Sequence, residues 1–193
     1  MNNPDDWQIL EINSLFRNPY LEVFQERVIL PGEVRVRNWT VVRRKQAVVI
    51  APLTTEGNYV LIHQARIPVR KMLWEFPAGQ IDGSFEPGME TIRQTALREL
   101  TEETGYSLGA AGELIYLGHY YSSQGFCDET PHLFLARPVH ATGFGRKPED
   151  SESIIECREF SLDDIRSMIA DSVIQDANTL ALYARLSAKQ IIP

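Results

Sequence analysis

One amphipathic helix with strand-like segments on both sides constrains the fold of this chain most. From Glu90 to Thr104 charged residues surround an apolar residue at every fourth position, namely Ile92, Ala96 and Leu100. Gly105 follows, at the position where helices commonly end. Because strands are predicted both before and after this helix, the pattern favours an α+β fold over a doubly wound parallel sheet.

Segments rich in β-branched and aromatic residues predict the strands. Two of them, Tyr20 to Leu30 and Val34 to Arg44, flank the turn pair Pro31-Gly32 and predict a hairpin or two successive strands. The further predicted strands are Ala47 to Pro52, Tyr59 to Gln64, Leu114 to Tyr121, His132 to Arg137 and Ile154 to Phe160. The last segment, Ser161 to Lys189, is predicted to be helical, with Ser161 and Asp164 as an N-terminal cap.

Composition excludes several classes of protein. With 193 residues, 44% of them hydrophobic, the chain can bury one sizeable core. A net charge of -7 argues against binding to long nucleic acids through a basic surface. The polar start, Met1 to Gln8, and the absence of about 18 uninterrupted apolar residues predict a soluble, cytoplasmic protein without a membrane span. Cys127 and Cys157 match no zinc or redox spacing, so we expect reduced, structural thiols.

Three glutamates near the end of the helix indicate the chemistry. Glu99, Glu102 and Glu103 are three and four residues apart, which places their carboxylates on one side of successive turns. Like charges at this spacing repel each other, whereas a divalent cation would bind between them. Mg²⁺ prefers carboxylate oxygens and completes its shell with water and substrate phosphates. The alternative interpretation is a solvated acidic face.

The wider segment resembles the Nudix box, whose pattern is GX5EX7REUXEEXGU with U apolar. The matching residues are Glu90, Arg98, Glu99, Leu100, Glu102, Glu103 and Gly105, with Tyr106 at the final apolar position. This resemblance implies a Nudix fold, in which a mixed β-sheet packs between helices as an α/β/α sandwich. It also implies hydrolysis of a diphosphate bond with Mg²⁺ as the cofactor, and Mn²⁺ as the alternative.

The resemblance also implies roles for individual residues. Glu99 and Glu103 correspond to metal ligands, and Glu102 to a third ligand or one that binds through water. The main-chain carbonyl at Ala78 corresponds to a further metal ligand. Arg98 is expected to hold a carboxylate in place and not to touch the substrate.

Two segments before the helix are similar to the ADP-ribose and nucleoside diphosphate sugar branch of the family. These are Gln64 to Pro68 and Trp74 to Gly79. By this similarity Arg66 contacts the substrate diphosphate, which a guanidinium can bind through paired donors, and Glu75 lies beside the metals. The expected substrate is therefore a nucleotide sugar.

The N-terminal part resembles the small β-strand domain of the same branch, which exchanges across a homodimer. We therefore divide the chain into a dimerising subdomain, residues 1–45, and a Nudix domain, residues 46–193. In the subdomain Trp39 falls near the position that stacks on adenine, and Arg44 falls where the branch places a basic residue near the substrate.

The catalytic base of this branch comes from an acidic loop before the last strand. Residues 149–152 occupy that place, and Glu152 is the first choice for the base or an auxiliary ligand, with Asp150 the second. The alternative interpretation is a solvated cluster of loop charges.

The sequence departs from the family pattern at two places. Ser84 stands where the first glycine of the box is expected, so the loop Gln80 to Met89 is five residues longer than the pattern. Ser122 and Gln124 replace the marker prolines of the ADP-ribose branch. Dinucleoside polyphosphates, coenzyme A and nucleoside triphosphates therefore stay open as substrates, as does a sensor that binds a nucleotide sugar without cleaving it.

Overall fold

The polypeptide divides into two compact units in the computed structural model, which describes residues 6–146 and 153–192. One unit comprises the chain up to Lys45 together with Tyr121–Thr130. The other comprises Gln46–Tyr120 and the chain from Pro131 onward. No helix in the described ranges is both long enough and apolar enough to cross a membrane.

The first unit is a three-stranded antiparallel sheet of β1 (Gln8–Arg17), β2 (Leu21–Ile29) and β3 (Val36–Arg44), in the order β1-β2-β3. The predicted hairpin is present as β2 and β3. Strand β1 was not predicted, because Asn13 and Ser14 interrupt its apolar residues and both favour turns over strands.

Residues 121–130 belong to this unit because they pair with β3. The amide of Val42 donates to the carbonyl of Phe126 at 2.7 Å, and the amide of Asp128 donates to the carbonyl of Val42 at 3.2 Å. The carboxylate of Asp128 accepts the amide of Arg44 at 2.8 Å. The segment in which the family's marker prolines are missing is therefore bound along the edge of β3.

The second unit is built on a seven-stranded mixed sheet. Its strands are β4 (Ala47–Thr54), β5 (Tyr59–Arg66), β6 (Lys71–Glu75), β7 (Ala78–Gln80), β8 (Tyr106–His119), β9 (Pro131–Ala141) and β10 (Ile154–Phe160). The order is β10-β5-β4-β9-β8, with β6 paired to β5 and β7 paired to β4. Only the β4–β9 pair is parallel among these described strands.

Helices cover both faces of this sheet. Val48 and Ile50 of β4 pack in a buried cluster with α1 (Met89–Thr104). The alternate residues Val49 and Ala51 pack in a second cluster with α2 (Leu162–Ala170) and α3 (Ala177–Ala188). Because successive strand residues point to opposite faces, β4 contributes to both cores. The predicted α+β fold, with a mixed sheet between helices, is confirmed.

The C-terminal helix is interrupted, so the prediction of one helix over Ser161 to Lys189 is wrong in its middle. The chain leaves α2 at Asp171, and Ser172 adopts a left-handed conformation with φ of 58°. Asp176 then caps α3 by accepting the amide of Thr179 at 2.9 Å. The predicted cap at the start of α2 is confirmed as a full capping box.

Other boundaries also differ from the predictions. Strand β8 begins at Tyr106, well before the predicted Leu114, and the short strands β6 and β7 were not predicted. The long loop before α1 is anchored next to the start of β4, where the side-chain amide Nε2 of Gln46 donates to the carbonyl of Phe85 at 3.0 Å. Both cysteines are free thiols.

Candidate active site

Helix α1 places two of the three glutamates on its buried face. Glu99 and Glu103 are only 3% and 1% exposed, because a spacing of four residues puts them on the same face as the apolar residues of the helix. Glu102 lies at the rim, with about one third of its side chain exposed (33%). The three carboxylates are therefore not equivalent: two face the sheet, and one faces outward.

The backbone of β7 lies directly against the two buried carboxylates. The amide of Ala78 donates to Oε2 of Glu103 at 2.7 Å. A Cβ atom at Gly79 would lie 2.0 Å from Cδ and Oε1 of Glu99, a distance that no real contact allows. Only glycine therefore permits Glu99 to approach the main chain this closely.

Arg98 binds carboxylates on both sides of itself. Its Nη2 lies 2.5 Å from Oε1 of Glu99, and its Nη1 lies 2.6 Å from Oε2 of Glu102. Asp82, in the loop before α1, lies 4.0 Å away. Burial alone would lower the pKa of Arg98, but the charges of Glu99 and Glu102 outweigh it and raise the pKa. Arg98 is thus hydrogen-bonded to two of the three helix glutamates.

A second ion pair joins the end of β5 to the end of β6. Nη2 of Arg66 lies 2.6 Å from Oε2 of Glu75, and Nε lies 3.0 Å from Oε1, so the two planar groups meet side by side. Glu75 is 1% exposed and also accepts a hydrogen bond from the side-chain amide Nε2 of Gln64 at 3.4 Å. Burial would lower the pKa of Arg66, but hydrogen bonding to Glu75 and the charges of Glu75 and Glu103 raise it. The Arg66–Glu75 pair therefore lies within electrostatic reach of Glu103 of α1.

Asp176 is a titratable residue of this region that sequence reasoning missed. Burial raises its pKa to about 6, and the charge of Glu75 adds to this rise, although the hydrogen bond from Thr179 and the charge of Arg66 oppose it. Oγ1 of Thr179 in turn accepts the amide of Phe76 at 2.9 Å, next to Glu75. The start of α3 therefore anchors the β6–β7 segment. An Asp directly before an apolar-periodic run is an N-cap signal that could have located it.

The two predicted residues of the first unit lie on or beside β3. Trp39 is half exposed (52%), and its indole N–H donates to the carbonyl of Gly125 at 3.0 Å. The guanidinium of Arg44 pairs with Glu129 at 3.0 Å. The predicted base residues Glu152 and Asp150 lie outside the described residues.

The carboxylates of α1 suit a divalent metal ion that is bound partly by the protein and partly by the substrate. In the described ranges, no three Asp, Glu, His or Cys side chains are grouped so that they could hold a metal ion by themselves. Mg²⁺ commonly uses one or two carboxylates together with water and substrate phosphates, and not a complete protein cage. The close approach of Gly79 to Glu99 and the hydrogen bond from Ala78 to Glu103 place two carboxylates beside the main chain of β7, and carboxylate oxygens suit such an ion.

The chain matches one known protein family over most of its length. A family model of the NUDIX domain matches residues 43–183, which is most of the chain. The chain belongs to the Nudix family and is a Nudix pyrophosphohydrolase. Nudix hydrolases generally use a divalent metal ion.

Several relatives with this similarity are named as pyrophosphatases or hydrolases of nucleotide compounds. The chain is 31% identical to an ADP-ribose pyrophosphatase of Bacillus subtilis (strain 168), over 92% of this chain and 91% of the relative. It is 34% identical to a GDP-mannose pyrophosphatase of Cronobacter sakazakii (strain ATCC BAA-894), over 70% of this chain and 69% of the relative. A crystal structure of an ADP compounds hydrolase superposes with a TM-score of 0.76 at 16% identity, covering 100% of both chains, and so shares the fold.

Proposed function

We propose that this protein hydrolyses the diphosphate bond of ADP-ribose or a related nucleoside diphosphate sugar, with Mg²⁺ as its metal. One observation carries the proposal: the buried carboxylates of Glu99 and Glu103 lie against the Ala78-Gly79 backbone. The Arg66–Glu75 pair supplies a cation in the same electrostatic environment, where it can bind phosphate oxygens. The relatives named as ADP-ribose and GDP-mannose pyrophosphatases support this class of substrate.

The residues of α1 and β7 would hold the metal. Glu99, Glu103 and the Ala78 carbonyl are the proposed ligands, and Glu102 is a third carboxylate ligand or one that binds through water. Arg98 keeps Glu99 and Glu102 in place through the two hydrogen bonds described above. A bound divalent ion supplies water activation and neutralises phosphate charge.

The remaining assignments concern substrate and base. Arg66 orients the diphosphate, Trp39 stacks on the base of the nucleotide, and Arg44 lies near the substrate. Glu152, or failing that Asp150, removes the proton from the attacking water, so Glu152→Gln should lower turnover more than Asp150→Asn. The products are a nucleoside monophosphate and a sugar phosphate; for ADP-ribose these are AMP and ribose 5-phosphate.

A turnover assay on a panel of nucleotide sugars tests the proposal. The panel contains ADP-ribose, GDP-mannose, a dinucleoside polyphosphate, coenzyme A and a nucleoside triphosphate, each with Mg²⁺, with Mn²⁺ and with a chelator. We expect metal-dependent release of a monophosphate from at least one nucleotide sugar, at a higher kcat/KM than for the other compounds. Tight binding of a nucleotide sugar without turnover would instead identify a sensor.

We also propose a cytoplasmic homodimer that assembles through the first unit. All ten residues of β1 are exposed, although Ile9, Leu10, Ile12 and Phe16 are large and apolar. An exposed apolar strand commonly marks a surface that pairs with another chain. A second copy of this chain is the partner that the resemblance to the ADP-ribose branch implies.

A further inference from the structure

A cleft at the turn between β5 and β6 has a volume of about 400 Å³ and a basic wall. Its lining combines three cationic side chains with apolar ones: Ala65, Arg66, Ile67, Arg70, Lys71 and Met72. Arg66 is the only one of these residues that the proposed function uses, so the other two cations need an explanation of their own.

The turn at this cleft carries a conformation that arginine rarely adopts. The amide of Arg70 donates to the carbonyl of Ile67 at 3.2 Å and closes a turn that contains Pro68. Arg70 has a φ of 53°, in the left-handed region that glycine occupies at no steric cost. A non-glycine residue held in this region often marks a functional position. The backbone conformation at this position favours glycine, so it does not explain the presence of an arginine.

The charges of the cleft are also poorly balanced within the chain. Arg66 and Lys71 are direct cross-strand partners, an arrangement that is unfavourable for like charges. Glu75 binds Arg66, whereas Lys71 donates, among the residues that the structure describes, only to the neutral amide oxygen of Gln175, at 2.9 Å. The side chain of Arg70 makes no hydrogen bond or ion pair with any residue that the structure describes. An anion bound here would relieve the repulsion and receive unused donors.

We infer that Arg70 and Lys71, together with Arg66, form a phosphate-binding subsite in this cleft. Its ligand is a phosphate group of the nucleoside diphosphate sugar, so the inference rests on the proposed function. Arg70 contributes a planar set of donors, and Lys71 a point charge with two further protons. The apolar side chains of Ile67 and Met72 provide a surface for the adjoining part of the ligand.

Replacement of Arg70 by glycine separates binding from folding. Arg70→Gly removes the charge, and glycine adopts the positive φ at this position without steric strain. We therefore expect the free energy of unfolding to stay the same or rise. The variant loses hydrogen bonds to a charged phosphate group. Its KM for ADP-ribose, and its Kd for ADP-ribose in the presence of a chelator, should therefore rise by about tenfold or more. The kcat should change little. Gln190→Gly is the matched control, because Gln190 also has a positive φ, of 56°, but lies after α3.

The measurements are steady-state kinetics with Mg²⁺, calorimetric binding of ADP-ribose in chelator, and urea unfolding. If the parent protein cleaves ADP-ribose while Arg70→Gly binds it equally tightly, the subsite is overturned and the proposed function stands. If the parent binds ADP-ribose through Arg70 but shows no turnover, the subsite stands and the proposed function fails. Absence of binding by the parent to ADP-ribose and to every other nucleotide sugar of the panel overturns both.

Discussion

At the scale of single residues, Glu99 and Glu103 are the side chains on which activity should depend most. Both are buried against β7, so replacing either by glutamine changes charge and ligand strength while nearly preserving shape. We expect each substitution to lower turnover by orders of magnitude with little change in folding. Metal-dependent turnover and circular dichroism check this. Glu113→Gln, at an exposed site on β8, is the control, and activity near the parent's for both variants would refute the metal assignment.

Gly79 should be as sensitive as the glutamates, for a steric reason. A methyl group at this position would overlap the Glu99 carboxylate, which has little room to move because it is buried. We therefore expect Gly79→Ala to displace Glu99, weaken metal dependence and lower turnover. Gly88→Ala serves as the comparison, since no atom lies within 4 Å of the added methyl group. Equal activity of the two variants would show that Glu99 can leave its position without consequence.

At the scale of secondary structure, the start of α3 makes the stability of the fold depend on pH. The pKa of Asp176 rises from 3.8 to about 6 on folding, chiefly through burial. A raised carboxyl pKa contributes stability that is fully present below pH 3.8 and is lost as the pH rises through about 6. Asp176→Asn keeps the cap but does not ionise, so it should gain stability relative to the parent between pH 4 and pH 7.

The size of this gain can be bounded. The full difference in pKa corresponds to roughly 3 kcal/mol, and we expect about 1 to 2 kcal/mol because the side chain is only partly buried. Urea unfolding at several pH values measures it. Asp176→Ala, which lacks the cap, should remain about 1 kcal/mol less stable than Asp176→Asn at every pH. A constant difference between the parent and Asp176→Asn would contradict the raised pKa.

At the scale of the whole molecule, β1 decides the oligomeric state that we propose. Ile12 is a large apolar residue that is half exposed (52%), whereas its neighbour Asn13 is polar and exposed on the same strand. We expect Ile12→Lys to dissociate the dimer and Asn13→Lys to leave it intact, as measured by sedimentation. A monomeric parent protein at working concentration would remove the dimer proposal.

A mixing experiment tests whether the dimer shares its sites. Trp39→Ala should weaken binding of adenine-containing substrates while sparing the metal site, and Glu99→Gln should do the reverse. If each site uses residues of both subunits, exchange between these two impaired variants restores part of the activity at a substrate concentration too low for the Trp39→Ala protein alone. No restoration, although the subunits exchange, would argue for sites within one subunit.

The sequence by itself determined the features that depend on neighbouring residues. The helix from Met89 to Thr104, its end at Gly105 and the capping box of α2 follow from residues within one or two turns. The segment from Glu90 to Tyr106 also resembled the Nudix box, because a motif within one helix keeps its residue spacing in the sequence, and the family model confirmed the family.

Only the tertiary structure decided which parts of these elements meet. It placed Glu99 and Glu103 on the buried face and Glu102 at the rim, although all three look alike in the sequence. It also brought Asp176 into the electrostatic environment of Glu75, a residue about a hundred positions earlier in the chain. Such contacts depend on burial and on packing between distant segments, and local conformational preferences do not encode them.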